Sequence, residues 1–265
     1  MMNHLLINSD DYGLHPLIND AVQRCVDRGI VNSVSVMANA DYIDYGVLKY
    51  FQLKGNFVGV HLSWLGSKWL TAAYDIFSWK KFAWNLLSGG TQFRNAVRIE
   101  AEAQIERFTG NGIIPDHLDS HQHVHHFNEV WQITKELSLH HGIKRMRCCK
   151  TVNRELAKEG ISGAILNRMA RTKFNSDEHY FIAGLKNSGH YSFEEIENEL
   201  KISAGVNTEL IVHPGLETDA LDKRFPHWHF DWRKEYDAIM DERLPGVVAR
   251  NGFSLRKREA DAIPS

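Results

Sequence analysis

The chain is poor in cysteine and almost without net charge. Its three cysteines, Cys25, Cys148 and Cys149, are an odd count with one adjacent pair. That is no disulfide framework, and the absence of a Cys-x-x-Cys spacing removes the usual thiol redox motif. All three read as small buried hydrophobes. The formal net charge is −2, so no basic excess is available to neutralise a polyanion, and nucleic acid is excluded as the expected partner. Long apolar runs are missing too. The N-terminus offers a few apolar residues with no basic stretch ahead of them, then turns acidic. It reads as neither a signal peptide nor a membrane span, which leaves the cytoplasm as the default address.

What the chain does have is hydrophobic residues enough for a sizeable core, 43% of 265, and fifteen histidines. Many of those histidines need no more explanation than a half-buried polar surface. Some, however, recur with carboxylates just after short apolar runs. Asp10 and Asp11 follow an apolar run at Leu5, Leu6 and Ile7, and His61 follows Phe57–Val60 (FVGV). Asp119, His121, His123 and His125 lie together, and His213 follows Glu209–Val212 (ELIV).

Those apolar runs alternate with helical patterns along the whole chain. Strands are expected at Leu5–Ile7, Ile30–Met37, Asn56–His61, Pro115–Ser120, Ile143–Cys149, Tyr180–Ala183, Glu209–His213 and Gly252–Leu255. Helices are expected from Pro16, which suits a first turn, to a stop at Gly29, and at Tyr42–Leu53, Asn95–Gly110, Glu129–His141, near Leu156–Met169, at Phe193–Ile202 and at Tyr236–Arg243. Strand–helix alternation favours a mainly parallel sheet with helices outside. About seven strands suggest an α/β fold of one domain over residues 1–265, an irregular (β/α) barrel. The segment 62–91 breaks the rhythm with Trp64, Trp69, Trp79 and Trp84. It is expected to be an elaborated loop after His61, either bordering the site or packing on itself.

In such folds the ligand site forms at the strand ends. Two neighbouring carboxylates such as Asp10 and Asp11 repel unless a cation binds one, which leaves the other as a base. A solvated acidic turn before a helix is the plainer alternative. In an extended segment Asp119, His121, His123 and His125 would share one face. Imidazole suits Zn²⁺ and carboxylate suits harder ions, so this cluster points to a metal, without a choice among the three histidines. His213, ahead of Pro214 and Gly215, is a candidate general acid.

Four segments carry a resemblance. Asn8–Gly13 (NSDDYG), Val58–Leu62 (VGVHL), His117–His125 (HLDSHQHVH) and Val212–Gly215 (VHPG) resemble the YdjC family of carbohydrate deacetylases, which includes chitooligosaccharide deacetylases and hopanoid-associated relatives. The resemblance implies a variant (β/α) barrel related to polysaccharide deacetylases. It implies removal of acetyl from an N-acetylated sugar with a divalent metal ion, Zn²⁺ or Mg²⁺. By position it makes Asp11, His61 and His125 the metal ligands, Asp10 the catalytic base and His213 the catalytic acid. Residues 63–90 and 151–190 match no motif, so the substrate beyond an N-acetylglucosamine-containing oligosaccharide or glycolipid is left open, as is assembly into a homo-oligomer. Two other readings compete: a metal-dependent amidohydrolase on a non-sugar amide, and a catalytically silent sugar-binding protein. Tryptophans of 62–84, and Trp228 with Trp232, are candidate surfaces for stacking sugar rings.

Overall fold

The computed structural model describes residues 2–259 other than 73, 75 and 153–159. Its strands are β1 (Asn3–Tyr12), β2 (Ser33–Val36), β3 (Phe57–Leu62), β4 (His117–Ser120), β5 (Arg145–Met146), β6 (Phe181–Ala183), β7 (Thr208–Val212) and β8 (Phe253–Leu255). They form one sheet in the order β5-β4-β3-β2-β1-β7-β6, with β8 on β1. Every pairing is parallel. The seven ordered strands curl into a half-barrel, as the alternating pattern predicts. A single parallel bridge, Thr151 to Ile182, ties the chain beyond β5 to β6 at the opposite edge.

Around the sheet lie α1 (Pro16–Asp27), α2 (Tyr45–Leu53), α3 (Trp79–Ser88), α4 (Gly90–Gly110), α5 (Asn128–His140), α6 (Gly160–Ala170), α7 (Phe193–Ile202), α8 (Thr218–Arg224), α9 (Trp232–Ile239) and α10 (Leu244–Arg250). Local chemistry sets several ends. Pro16 opens α1 where its missing N–H costs nothing, and Gly29 follows the helix at φ +80°. Ser192 and Glu195 close a reciprocal capping box on α7. The helix expected at Tyr236–Arg243 instead runs Trp232–Ile239, because the Asp231 side chain accepts the Lys234 N–H and starts it earlier. Positions 156–159 of the helix expected near Leu156 lie outside the described residues.

Two residues show how the sheet is assembled. β1 is long enough to carry β8 along its first residues and β2 along its last, while β7 pairs with its middle. Asn32 spans the junction: its amide oxygen accepts the Ile7 N–H at 2.7 Å, and its nitrogen donates to Leu5 O at 3.0 Å and Arg256 O at 2.8 Å. Gly59 stands opposite Ser35. A Cβ there would lie 2.4 Å from the His117 ring, so the glycine is the space into which that ring packs.

The strands' period of two sorts the faces. Leu5, Ile7, Val34, Val36, Val58, Val60, Leu118, Leu210 and Val212 belong to the main hydrophobic core shared with the helices. The alternate positions, Asn8, Asp10, Ser35, His61, His117, Asp119 and Glu209, are polar and buried. The inner face of the curl is therefore a polar interior, and the candidate site stands at its strand ends.

Candidate metal centre and active site

Asp10 and Asp11 reach the same place although they are neighbours on a strand. The β1–β2 register shifts between Ser9 and Tyr12, and Asp11 takes φ +65°. That left-handed residue turns the second carboxylate toward the side of the first. Both are buried.

His61, at the end of β3, faces three carboxylates. Its Nδ1 is 2.7 Å from Asp119 Oδ1; its Nε2 is 3.3 Å from Asp11 Oδ1 and 3.9 Å from Asp10 Oδ2. Burial opposes protonation of this ring, but Asp119, Asp10 and Asp11 outweigh it and hold its pKa up at about 10.

The third element of the cluster is His121. Its Nδ1 lies 3.2 Å from Asp11 Oδ1, and donor atoms of Asp11, His61 and His121 all fall within 4.8 Å of one another. Asp10, His61 and Asp119 make a second such group that shares His61. Two atoms of the first group, Asp11 Oδ2 and His121 Nε2, are buried with no hydrogen-bond partner. Buried polar atoms are ordinarily satisfied. One carboxylate and two imidazoles with donor atoms left unpartnered are ligand types that a divalent transition metal takes, so these residues fit the ion.

The structure does not bring His125 to this cluster. Its Nδ1 is 2.6 Å from Ser120 Oγ and its Nε2 is 3.0 Å from the Arg147 carbonyl, so both ring nitrogens are engaged. The shared face expected of Asp119, His121, His123 and His125 fails for a clear reason. β4 stops at Ser120, and residues His121–His126 turn into a short 3₁₀ segment with Gln122 (φ 51°) and His123 (φ 55°) left-handed. Alternation ends there, and only the first histidine keeps the direction of the strand.

Asp10 is gripped by Arg147, a residue that the sequence pattern did not single out. Arg147 donates from Nη1 and Nη2 to the two Asp10 oxygens at 2.8 Å each, lies 2.7 Å from Asp119 Oδ2, and donates from Nε to Glu209 Oε1 at 2.8 Å. Burial would raise the Asp10 carboxyl, but Arg147, then His61, prevail and hold it well below the ordinary carboxylate range. The signal was present as period two: in IKRMRCC, Arg145 and Arg147 fall on one side, and both reach Glu209.

His213, just beyond β7, has its Nδ1 edge toward Ser188 Oγ (3.4 Å) and Glu235 Oε2 (3.7 Å). Glu235 is fully buried and accepts backbone N–H groups of Gly189, Tyr191 and His213. Burial lowers the His213 pKa, but Glu235, with Asp11 and Asp10 at longer range, raises it above the ordinary value. An imidazolium is thereby favoured within electrostatic reach of both carboxylates.

Aromatic rings close over these groups. Trp228 stacks on His121 at 4.5 Å between centroids, and Phe230 lies 4.7 Å from His213. Trp232, expected on the same surface, is instead wholly buried, as is Trp64. The 62–91 segment does border the cluster, since a Cβ on Gly66 would come within 4.0 Å of His121 Nε2 and 3.9 Å of Trp228.

Comparison with known proteins gives a consistent picture. A family model described as YdjC-like protein matches residues 4–250. A chitooligosaccharide deacetylase of Proteus mirabilis (strain HI4320) is 27% identical over 96% of this chain and 97% of its own length. A carbohydrate deacetylase of Clostridium beijerinckii is 29% identical over 57% of this chain and 62% of its own. Among solved structures, a protein of Enterococcus faecalis V583, provisionally named for cellobiose-phosphate cleavage, superposes with a TM-score of 0.72 at 19% identity, over 97% of this chain and 98% of that one. The Bc1960 peptidoglycan N-acetylglucosamine deacetylase superposes with a TM-score of 0.51 at 10% identity, over 97% of this chain and 90% of that one. At such identities the two structures speak for the fold.

Proposed function

The chain belongs to the YdjC-like family, and from that premise we propose that it is a divalent-metal-dependent carbohydrate deacetylase. It takes an N-acetylated sugar, an N-acetylglucosamine-containing oligosaccharide or glycolipid, and releases acetate and a free amine. Relatives named as carbohydrate and chitooligosaccharide deacetylases support the reaction class. The observation that carries the reading is the convergence of Asp11, His61 and His121, with Asp11 Oδ2 and His121 Nε2 buried and unpartnered, beside Asp10 and within reach of His213.

Asp11, His61 and His121 hold the ion in this reading, and His121 takes the place that the resemblance gave to His125. Two imidazoles and one carboxylate favour Zn²⁺ over Mg²⁺ on ligand softness. When bound, a divalent ion polarises the acetamide carbonyl and acidifies water. Asp119 holds His61 by its Nδ1, which fixes the ring so that Nε2 faces the site. Asp10 accepts the proton of the attacking water as the new carbon–oxygen bond forms. The Arg147 fork holds both Asp10 oxygens, so the base is aimed but weakened. His213, with Nδ1 turned to Ser188 and Glu235, delivers its proton from Nε2 to the nitrogen as the carbon–nitrogen bond breaks. Trp228 offers a flat apolar face beside His121 for a sugar ring.

The test is acetate release from N-acetylglucosamine mono-, di- and oligosaccharides and from glycolipids, by chelator-treated protein and by the same protein reloaded with Zn²⁺ or Mg²⁺. Acetate only after reloading is the expected result. Sugar binding without acetate, metal present, would leave a binding protein; acetate from non-sugar amides alone would move the activity to another amide class.

A further inference from the structure

A second group of metal-capable side chains lies on the seam between α4 and α5, away from the first. Arg98 of α4 pairs with Glu136 of α5. One turn further along each helix, four residues on, stand Glu102 and His140, with His141 following. Donor atoms of Glu102, His140 and His141 all fall within 4.8 Å of one another. His141 Nε2 is 2.6 Å from Glu102 Oε1, and the two imidazole rings meet edge to face with centroids 5.0 Å apart. Glu102 and His141 are half-buried and His140 faces solvent. α5 starts at Asn128, just past the turn of His121, and its 13 residues carry the chain roughly 18 Å to His140. This group and the candidate metal centre therefore stand at opposite ends of one helix.

An ion pair explains only part of the group. Glu102 and His141 satisfy each other, and an exposed pair of that kind contributes little. The His140 ring has no hydrogen bond among the described residues, yet it converges on the same carboxylate. Two imidazoles and a carboxylate suit Zn²⁺ and its transition-metal neighbours rather than Mg²⁺ or Ca²⁺. The distances suit such an ion too. Donors about 2.1 Å from Zn²⁺ stand roughly 3.4 Å apart in a tetrahedron. The 2.6 Å contact would open by about 1 Å, and water would fill the remaining position. The C-terminal end of α5 adds partial negative charge, which favours a cation there.

We propose that Glu102, His140 and His141 form a second site for a divalent transition-metal ion, which staples α4 to α5. The staple joins residue 102 to residue 140, and the loop it closes contains β4 and the turn of His121. An unfolded chain does not hold these three donors together, so the ion binds the folded chain and stabilises it. Partly exposed ligands hold the ion less firmly than a buried centre does. It exchanges with solvent and leaves on dialysis against metal-free buffer. The site requires nothing of the deacetylase reading.

The experiment is equilibrium dialysis of the chelator-treated full chain against rising free Zn²⁺, with bound metal measured at each concentration. The unaltered protein should take two ions per chain, the second more weakly. His140→Ala with His141→Ala should lose the weaker ion and keep the tighter. His121→Ala should do the reverse. Glu102→Gln should weaken the second ion on the order of tenfold or more. Zn²⁺ should raise the melting temperature of His121→Ala, but not that of a chain which also carries His140→Ala and His141→Ala. All three side chains lie at the surface, so circular dichroism of the metal-free variants should match the parent. Retention of both ions after His140→Ala and His141→Ala would overturn the inference, as would a single ion that only His121→Ala removes. A single ion removed by the changes at His140 and His141 alone would uphold this site and sink the buried one, so the two fail separately.

Discussion

At the scale of single residues, the distinction that matters is between His121 and His125. Both follow Asp119 at spacings that an extended strand would place on one face. The difference lies in backbone conformation: Gln122 and His123 at positive φ end the alternation. Neither residue type announces a left-handed turn, so the sequence pattern carried no warning. The consequence is measurable. His121→Ala should abolish stoichiometric metal binding, read by metal analysis after dialysis. His125→Ala should keep the ion and lose stability instead, because it strips hydrogen bonds from Ser120 and the Arg147 carbonyl. The reverse pattern would restore His125 to the ligand set. Asp10→Asn should keep the ion and lower turnover by about 10²–10⁴, since the amide cannot accept a proton; parent-level turnover would remove Asp10 as the base.

At the scale of elements, the strand–helix order was legible because each strand carries an apolar run and each helix an apolar stripe. The predicted and observed strands overlap at every one of the eight positions, with ends displaced by a few residues. Helices α3, α8 and α10 were missed: α3 and the first turn of α4 occupy part of the 62–91 segment expected as a loop, α10 begins at Leu244 just past the expected helix end at Arg243, and the seven residues of α8, TDALDKR, bury only Leu221, too little periodicity to read. The polar interior was only half legible. Asp10, His61 and Asp119 stood out because carboxylates and histidines carry chemistry, whereas Arg147 and Glu209 looked like ordinary charged residues in short strands. What joins them is the curl of the sheet, which brings the end of β5 and the start of β7 face to face although four strands lie between them in the sheet order. Gly59 tests this level. Gly59→Ala drives a methyl into the His117 ring and should cost about 1–3 kcal/mol by urea unfolding. An unchanged midpoint would mean that the ring moves aside freely.

At the scale of the whole molecule, the barrel interior and its rim make stability depend on pH through histidines that fold neutral. His117, His125 and His126 are wholly buried. Burial, the largest cause for each, holds all three pKa values below the ordinary one, to about 3 for His126. Hydrogen bonds agree with the neutral form. The His126 Nε2 accepts the Cys149 N–H at 2.9 Å, and His125 donates one nitrogen to the Arg147 carbonyl. The unfolded chain titrates these rings near pH ~6.5. Below that pH the unfolded state binds more protons than the folded one, so stability falls as pH falls, starting near pH ~6.5 and continuing toward the low folded-state values. Each ring contributes a slope of up to ~1.4 kcal/mol per pH unit, and the three together up to ~4. His61 and His213 have the opposite sign. Their raised pKa values, about 10 for His61, stabilise the fold fully below pH ~6.5, and that contribution is lost as pH rises through the folded values. Urea midpoints of metal-free protein should therefore drop steeply between pH ~6.5 and ~5, well above the range where carboxylates titrate, and decline more gently on the alkaline side. A flat profile down to pH ~5 would show that these three rings are protonated in the fold and that the hydrogen-bond directions given for them are wrong.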